Sequence, residues 1–495
     1  MGSMRVLAIV AIAGLLLAGV LVDLADRPQS DVEYQYTSAL VAPTAVVNTW
    51  FCPGGSGPSG IAELTVQMAN GSDEPRTVTV SVLPGGSAVQ EPAMFQMDIE
   101  PRGRALLQPS DAVPGADWVG VMVEAKGSDV VVEQILTASQ GGVGRSPCLT
   151  RVADSWVVSN GATRSAVERE RFVVMLLNPF PDVAVADIEL VADVGRDSID
   201  GLVIPAQRVV AVDVTDEVTV AATVAAFINV VSGRVAASWI QISDGPVAGR
   251  GARTAPAVAG AADLWHLPVA AVGASRRDVV AVSNPSTTDV AEVDLEIIPE
   301  DPGIQVNPIE ITVRPGRTVL VDLSEQGRLD GIGHFSVVVR SLAARSLDAV
   351  PVAASITSVT STADPAGAGE ADVAGSTATS GADGASRRWL VPAEVPASDR
   401  DIELGDAGAL VIVNPSAAGI AEVDVSVDGE LVRSTEIGPG RSRRLSLASL
   451  GSDRFLVQVE SSAPVVVGRE LVGLTSRSAS LGVATDEPVP IDGIR

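Results

Sequence analysis

The sequence predicts an all-β protein: four tandem immunoglobulin-like or fibronectin-type β-sandwich modules after one N-terminal transmembrane helix. Three observations lead to this prediction: a recurring asparagine turn, short strands of alternating polarity, and an apolar run at the start of the chain. Hydrophobic residues make up 46% of the 495 residues but aromatic residues only 3%. Valine carries much of this content and favours strands, because its branched Cβ packs well on a pleated surface.

The recurring turn places an asparagine between an apolar strand and a strand of alternating polarity. Asn178, Asn284 and Asn414 each precede a proline, and Asn70 takes the same place in a looser copy. Asparagine favours turn starts because its side chain bonds to the backbone two residues further on. We therefore predict that Asn178, Asn284 and Asn414 are structural turn residues and not parts of a binding site.

Each predicted module also opens with a tryptophan and contains a proline turn that leads into an arginine. The tryptophans are Trp50, Trp156, Trp265 and Trp389, and their equivalent positions favour a place in the core. Pro205-Ala206-Gln207-Arg208 and Pro315-Gly316-Arg317 are two of the proline turns. We interpret the arginines as charges at the start of a strand on the rim of the sheet, with ligand binding as the alternative.

These signals divide the chain into segments. They are an anchor or signal segment (1–23), a spacer (24–47), module 1 (48–152), module 2 (153–250), module 3 (263–359), a linker (360–388), module 4 (389–480) and a C-terminal tail (481–495). The linker is rich in Ala, Gly, Ser and Asp and has hardly a large apolar side chain. It cannot bury enough apolar surface to offset its ordering entropy, so we predict that it is flexible.

The N-terminal residues indicate the compartment. Arg5 precedes an uncharged apolar run over residues 6–22, which Asp23 follows. The run lies near the lower limit for a membrane-spanning helix, and it also resembles the apolar region of a secretory signal peptide. We favour an uncleaved anchor, because no small-x-small cleavage site follows the run. We expect a single-pass protein of the cell membrane with its bulk outside the cytoplasm, or alternatively a secreted protein.

The charge of the chain restricts its partners. The formal net charge is −27, and Lys126 is the only lysine, so the cationic residues are nearly all arginine. A chain this acidic has no electrostatic footprint for nucleic acid or for anionic lipid headgroups. We therefore expect no nucleic-acid partner, and contact with the membrane only through the N-terminal helix.

Cys52 and Cys148 are the only cysteines, and they bracket the first module. An even number of cysteines in an exported protein indicates a disulfide, here between the two ends of one module. A metal site is the weaker reading, because two cysteines without nearby histidines supply half a zinc site at best. A redox pair is weaker still, because the two residues lack Cys-x-x-Cys spacing.

The sequence contains no recognisable catalytic or cofactor motif, so we expect no enzyme activity, no cofactor and no metal site. Walker, Gly-x-Ser-x-Gly and His-Glu-x-x-His patterns are absent. His266 and His334 are the two histidines, and we interpret both as partly exposed strand or edge residues. A carboxylate pair for glycoside hydrolysis stays open among 61 acidic residues.

The opening Trp50-Phe51-Cys52-Pro53-Gly54, together with the apolar N-terminal run and the repeated modules, resembles an actinobacterial cell-envelope protein family of unknown function. The resemblance covers nearly the whole exported part and implies a membrane-tethered or secreted envelope protein. It implies no activity, because the family has none assigned.

Repetition without a catalytic motif favours a non-enzymatic, extracytoplasmic scaffold or interaction protein whose partner is an unknown envelope protein or glycan. The alternative is a carbohydrate-binding accessory protein in envelope glycan synthesis or transport. Sugar sites usually need exposed aromatic side chains, which are scarce here. A hydrolase with an unrecognised carboxylate pair is the third hypothesis.

Overall fold

The computed structural model describes residues 47–490 except 59, 88–89, 140, 246–248, 274–275, 344–347, 361–374, 394–407, 451–455, 473–476 and 487–488. These residues form an all-β structure with several sheets, as the sequence predicts. Within them, no helix is both long enough and apolar enough to cross a membrane. The predicted anchor, and all of the spacer but Val47, lie outside the described residues.

The first half of the described chain consists of strands β1–β16 and short helical turns. The strands are β1 Val47–Ser56, β2 Ala62–Asn70, β3 Arg76–Gly85, β4 Ala93–Ile99, β5 Arg104–Leu107, β6 Trp118–Lys126, β7 Val130–Ala138, β8 Val143–Pro147, β9 Ser155–Gly161, β10 Arg171–Asn178, β11 Ala184–Ala192, β12 Gly195–Ile204, β13 Arg208–Asp213, β14 Val224–Ser232, β15 Ala236–Gly245 and β16 Gly249–Pro256. The helical turns are α1 Pro109–Ala112, α2 Ser165–Glu168 and α3 Val214–Glu217.

The second half continues with strands β17–β33 and single turns of 3₁₀ helix. The strands are β17 Leu264–Ala271, β18 Arg276–Asn284, β19 Ala291–Pro299, β20 Ile309–Val313, β21 Arg317–Asp322, β22 His334–Leu342, β23 Ala353–Thr360, β24 Gly375–Ser380, β25 Gly384–Pro392, β26 Gly408–Asn414, β27 Ala421–Val427, β28 Glu430–Ile437, β29 Arg441–Ser446, β30 Leu456–Val472, β31 Arg477–Leu481, β32 Val483–Ala484 and β33 Val489–Pro490. The 3₁₀ turns span Leu323–Glu325, Gly327–Leu329 and Leu447–Leu450.

One pattern of antiparallel pairing recurs along the chain. Strands β1–β8 pair in the orders β1-β6-β3-β4 and β5-β2-β7-β8. Strands β9–β16 repeat these two orders, and so do β17–β24. From β25 onward the long strand β30 takes part in both sheets. We call these sets of strands repeats 1 to 4.

Each repeat packs against the next one along the chain, and the fourth packs against the first. The first strand of one repeat contacts the second and seventh strands of the next: β1 with β10 and β15, β9 with β18 and β23, and β17 with β26 and β30. Repeat 4 returns to repeat 1, where Leu390 packs against Gly71 and the buried Arg469 pairs with the buried Glu133. The described repeats therefore form one packed body and not a row of separate beads.

The last strands of the repeats meet at the centre of this arrangement. Strand β8 contacts β16, β16 contacts β24, β24 contacts β31, and β31 contacts β8. Hydroxyl groups connect them: Thr377 and Thr379 each donate to the carbonyl oxygen of Ala479, at 3.3 and 2.8 Å. Ser380 donates to the carbonyl oxygen of Pro256 at 2.8 Å. Small hydroxylated side chains thus link β24 to β31 and to β16, and they give carbonyl oxygens of these neighbouring strands a donor.

This packing changes the interpretation of the predicted linker. Residues 375–380 form β24 and residues 384–388 begin β25, while 361–374 lie outside the described residues. The Ser- and Thr-rich composition that resembles a linker belongs here to a central strand. Likewise, β16 extends past the predicted module boundary at residue 250, and β31 and β32 extend past residue 480.

The four opening tryptophans lie in the core, as predicted, and each is 0% exposed. Trp156, Trp265 and Trp389 donate through Nε1 to the carbonyl oxygens of Val235, Val352 and Val465, at 3.1, 2.6 and 3.0 Å. Val235 and Val352 come directly before the seventh strand of their repeats. Val465 lies in β30, which takes the place of that strand in repeat 4. In repeats 2 to 4 the tryptophan therefore ties the first strand to the opposite sheet in the same way, whereas the Nε1 of Trp50 has no hydrogen-bond partner among the described residues.

Candidate functional site

A cleft of about 390 Å³ opens between repeats 1 and 2. Its walls come from the end of β3, the start of β6, and strand β13 of the next repeat. It is lined by Gly85, Gly86, Ser87, Trp118, Pro205, Arg208, Val209, Val210 and Ala211. A single parallel pairing of Val209 with Gly85 joins the two repeats at its floor. We call this feature the Trp118 cleft.

Two glycines make the cleft possible. A Cβ on Gly85 would lie 2.3 Å from the carbonyl oxygen of Val209, so only glycine allows β3 and β13 to pair at this point. Gly86 has a φ of +87°, and a Cβ there would lie 2.6 Å from the Cβ of Asp117. Any other residue at either position would push the two walls apart or fill the space.

Trp118 and Arg208 are the aromatic and the cationic side chain that line the cleft. Trp118 is half-buried, whereas each of the other five tryptophans is at most 3% exposed. Arg208 is also half-buried, and its guanidinium forms no hydrogen bond or ion pair with any described residue. The turn at Gln207, where φ is +52°, brings Arg208 to the start of β13. An aromatic side chain and a cation that no described residue pairs with thus line one opening.

The rim of the cleft is held by Asp117. The backbone N–H and the hydroxyl of Ser87 both donate to its Oδ2 at 2.9 Å. These two hydrogen bonds hold the pKa of the Asp117 carboxyl below its usual value. The carboxylate therefore stays ionised at neutral pH and orients the loop that follows Gly86.

The corresponding place between repeats 3 and 4 is filled. The N–H of Glu300 donates to the carbonyl oxygen of His334, so this pair matches Gly85 and Trp118, which are paired in β3 and β6. In repeat 4 the register of β29 places Arg444 where repeat 2 has Ala211. A space of about 10 Å³ remains, enough for about one water molecule.

A buried ionic cluster lies behind this filled position. Both oxygens of Glu470 are bound by arginines: Oε1 by Arg276 at 2.9 Å and by Arg477, and Oε2 by Arg444 at 3.1 Å. Arg276 also makes a bidentate pair with the fully buried Asp278, at 2.8 and 2.7 Å. Burial alone would raise the pKa of the Glu470 carboxyl, but the three arginines outweigh it and hold that pKa well below its usual value.

The predicted disulfide is present and joins Cys52 to Cys148, whose Cα atoms are 4.7 Å apart. Both residues are fully buried, and Leu149 beside Cys148 bonds to Phe51 through both backbone groups. The bond therefore closes repeat 1 by fixing the chain after β8 against β1.

The turn asparagines share one hydrogen-bond pattern and are 0% exposed. In Asn284 the side-chain amide donates to the carbonyl oxygens of Asp289 and Val313, at 2.7 and 2.9 Å, and Oδ1 accepts from the N–H of Ser286. Asn178 and Asn414 repeat this pattern, and so does Asn70. Each asparagine faces the backbone; that it plays no part in binding stays a prediction.

The two histidines differ from one another. His334 is half-buried in the first position of β22, whereas His266 is only 3% exposed, so its interpretation as a partly exposed residue is wrong. Burial, with a smaller effect of the Arg340 charge, lowers the pKa of His266 to about 3. Within the described part of the chain, no cluster of three or more His, Cys, Asp or Glu side chains could hold a metal ion.

Sequence reasoning missed the Trp118 cleft, although two signals point to it. Trp118 is one of two tryptophans outside the repeated opening position, and Gly85-Gly86 is a glycine pair at the end of a predicted strand. Neither signal indicates that the next repeat supplies the opposite wall of the cleft. That contact depends on how the repeats pack.

Comparison with known proteins gives no family. No family model matches the chain, and no curated protein does. Among solved structures, Thermotoga maritima 1070 is 17% identical with a TM-score of 0.19, over 21% of this chain and 94% of that one. A tetra-tandem repeat from the extending region of a large adhesion protein is 12% identical with a TM-score of 0.10, over 86% and 100%. The major pilin of Streptococcus pyogenes is 8% identical with a TM-score of 0.13, over 86% and 99%. These TM-scores are too low to carry an argument.

Proposed function

We propose that the protein is a non-enzymatic, extracytoplasmic scaffold or interaction protein of the bacterial cell envelope. In this proposal four tandem immunoglobulin-like modules are tethered to the cell membrane by residues 6–22. The observation that carries it is the closed packing of the repeats, which leaves the fourth strand of a repeat as an exposed edge. Strands β12 and β28 are both exposed along most of their length. The disulfide supports an oxidising compartment.

An exposed strand edge offers unpaired backbone groups to a partner. Val203 on β12 is 54% exposed and Leu431 on β28 is 61% exposed, so both edges also offer apolar side chains. A partner protein that adds a strand, or packs on these side chains, would find the same arrangement in two repeats. The partner is an unknown envelope protein or glycan.

The test is site-specific photo-cross-linking in the native membrane. A photoreactive residue is placed at Val203 or at Leu431, and a matched one at the buried Val230 serves as control. We expect the two exposed positions to capture one and the same envelope component, and the buried position to capture none. Capture of nothing from either edge, in protein that is folded and exported, would contradict the scaffold proposal.

The anchor has its own test. We expect the mature protein to retain residues 6–22 and to fractionate with the membrane. N-terminal sequencing decides this, since a start between residues 19 and 40 in protein from the culture medium would show a cleaved signal and a secreted protein.

A second function, a carbohydrate-binding accessory protein in envelope glycan synthesis or transport, is favoured by the Trp118 cleft. The cleft supplies the exposed aromatic side chain whose scarcity argued against this function at the level of sequence. Its size lies within the range of roughly 300–1,000 Å³ that is usual for small-molecule sites.

A further inference from the structure

We propose that the Trp118 cleft binds an acidic saccharide, with a sugar ring against the indole of Trp118 and its carboxylate paired with Arg208. This inference rests on the second candidate function. It names the residues and the chemical class of the ligand, neither of which follows from the scaffold function.

The first argument is the state of Trp118. A large aromatic side chain normally buries its area in a core, as the other five tryptophans do here. Trp118 instead keeps part of its side chain open in a concave site between two repeats. A flat apolar face in a cleft that also has polar groups suits the C–H face of a sugar ring, whose hydroxyls point outward to solvent and to the rim.

The second argument is the charge of Arg208. The chain carries a net charge of −27, and acidic side chains are plentiful, yet none of the described ones pairs with this guanidinium. Arginine presents a planar fork of donors that matches a carboxylate bidentately. A half-buried arginine in a cleft, without a partner among the described residues, is therefore arranged for an anionic group on a ligand. The Asp117 carboxylate, held at the rim by Ser87, repels a ligand that places negative charge on that side of the cleft.

The third argument is the comparison with the filled position. Between repeats 3 and 4 the equivalent residues are Glu300, His334 and Arg444, and Arg444 is used internally by Glu470. Between repeats 1 and 2 they are Gly85, Trp118 and Ala211. The same framework thus closes the space where the residues are large and charged, and leaves it open beside an aromatic side chain and an unused cation.

The experiment measures binding to the full chain with three probes: a galacturonic acid trisaccharide, the neutral galactose trisaccharide, and inorganic phosphate. Calorimetry gives the affinity, and tryptophan emission gives a second readout, because Trp118 is the only tryptophan that is not buried. We expect the acidic trisaccharide to bind at least tenfold more tightly than the neutral one, and phosphate to compete only weakly.

The variants assign the contacts. Trp118→Ala should weaken binding of the acidic trisaccharide at least tenfold and remove the emission change. Arg208→Gln should weaken it by roughly tenfold or more, the size expected for a lost charged hydrogen bond, and leave the neutral trisaccharide unaffected. Ala211→Gln adds bulk without charge at the position of Arg444 and should block both sugars. Arg441→Gln is the matched control, because Arg441 has the same register in repeat 4, and it should change nothing.

Each other outcome overturns the proposal. No binding of the acidic trisaccharide at millimolar concentration excludes this ligand class. Equal binding of the neutral trisaccharide removes the role of Arg208, and full competition by phosphate makes the cleft a simple anion site. Wild-type affinity in both Trp118→Ala and Ala211→Gln places the ligand elsewhere. None of these results bears on the cross-linking of β12 and β28, so the scaffold function fails or stands separately.

Discussion

The interface between repeats 1 and 2 and the interface between repeats 3 and 4 have the same strand register but opposite contents. One holds a cleft of about 390 Å³ and the other a space for about one water molecule. The pairing inside each repeat does not account for this difference, because Pro84 in β3 and Pro299 in β19 pair with Val119 and Phe335 in the same way. Between the repeats, Gly85 pairs with Val209 at the open interface. Side chains decide which interface is open.

The filled interface shows what closing the space requires. Arg444 brings a charge into the interior, and that charge is compensated by Glu470, which two further arginines also bind. Burying charge is unfavourable unless it is paired and hydrogen-bonded. The open interface avoids this cost by using Gly85 and Ala211, and exposes Trp118 and Arg208 as a result. At this position of the fold, large side chains fill the space between two repeats, whereas small side chains leave an accessible site.

The largest effect should come from breaking the filled interface. Glu470→Gln removes the buried charge that compensates Arg276, Arg444 and Arg477, and losing one partner of a buried ion pair typically costs about 3–5 kcal/mol. Chemical denaturation of the full chain measures the free energy of unfolding.

The matched control is Glu189→Gln. Glu189 pairs with Arg196 at the surface, where both side chains are 43% exposed, so this variant should cost less than about 1 kcal/mol. A loss of similar size in both variants would show that the cluster around Glu470 is no more important than a surface pair.

The turn asparagines test whether the open and filled interfaces share one framework. Asn178 precedes the cleft wall in repeat 2, and Asn414 has the same place in repeat 4, paired with Arg208 and Arg441 respectively. Replacing either by alanine removes a donor from buried carbonyl oxygens, so we expect each to cost about 2 kcal/mol.

The informative comparison is between melting temperature and binding. If Asn178→Ala abolished binding of the acidic trisaccharide while the melting temperature stayed constant, the turn would be a recognition element. Equal destabilisation of the two variants, with weakened binding only through unfolding, would support the structural role.

The sequence predicted the internal design of a repeat better than the relation between repeats. Asn284, Trp265 and the pair Cys52 and Cys148 act within one repeat, so spacing along the chain was enough to recognise them. The linker prediction failed at residues 375–380 because Ser and Thr side chains bond to neighbouring strands there, which composition cannot show. The Trp118 cleft was missed for the same reason, since its walls come from two repeats.

A smaller effect should appear as a pH dependence in repeat 3. Burial lowers the pKa of His266 to about 3, so the unfolded chain binds more protons than the folded one between that value and about 6.5. This contribution to stability is complete above about pH 6.5 and declines as the pH falls. We expect the wild type to lose on the order of 1 kcal/mol between pH 6.5 and 5, a range above the titration of Glu470.

His266→Phe should flatten this part of the stability profile. Burial also lowers the pKa of His334, so His334 contributes in the same direction, and the double variant should be flatter still. A profile between pH 6.5 and 5 that is unchanged in the double variant would show that another group titrates there.

A small effect should also come from the open interface itself. Trp118 is half-buried and lines a cleft, so Trp118→Ala removes a side chain that already has space on one side and should leave no new enclosed cavity. We expect a loss of less than about 1.5 kcal/mol, against about 3–5 kcal/mol for Trp156→Ala, which empties a fully buried position. Denaturation of the two variants under the same conditions makes the comparison. Similar large losses would mean that Trp118 is a core residue of the contact between repeats 1 and 2. A small loss of stability together with lost saccharide binding would show that Trp118 contributes little to the packing of repeats 1 and 2 and serves the binding site.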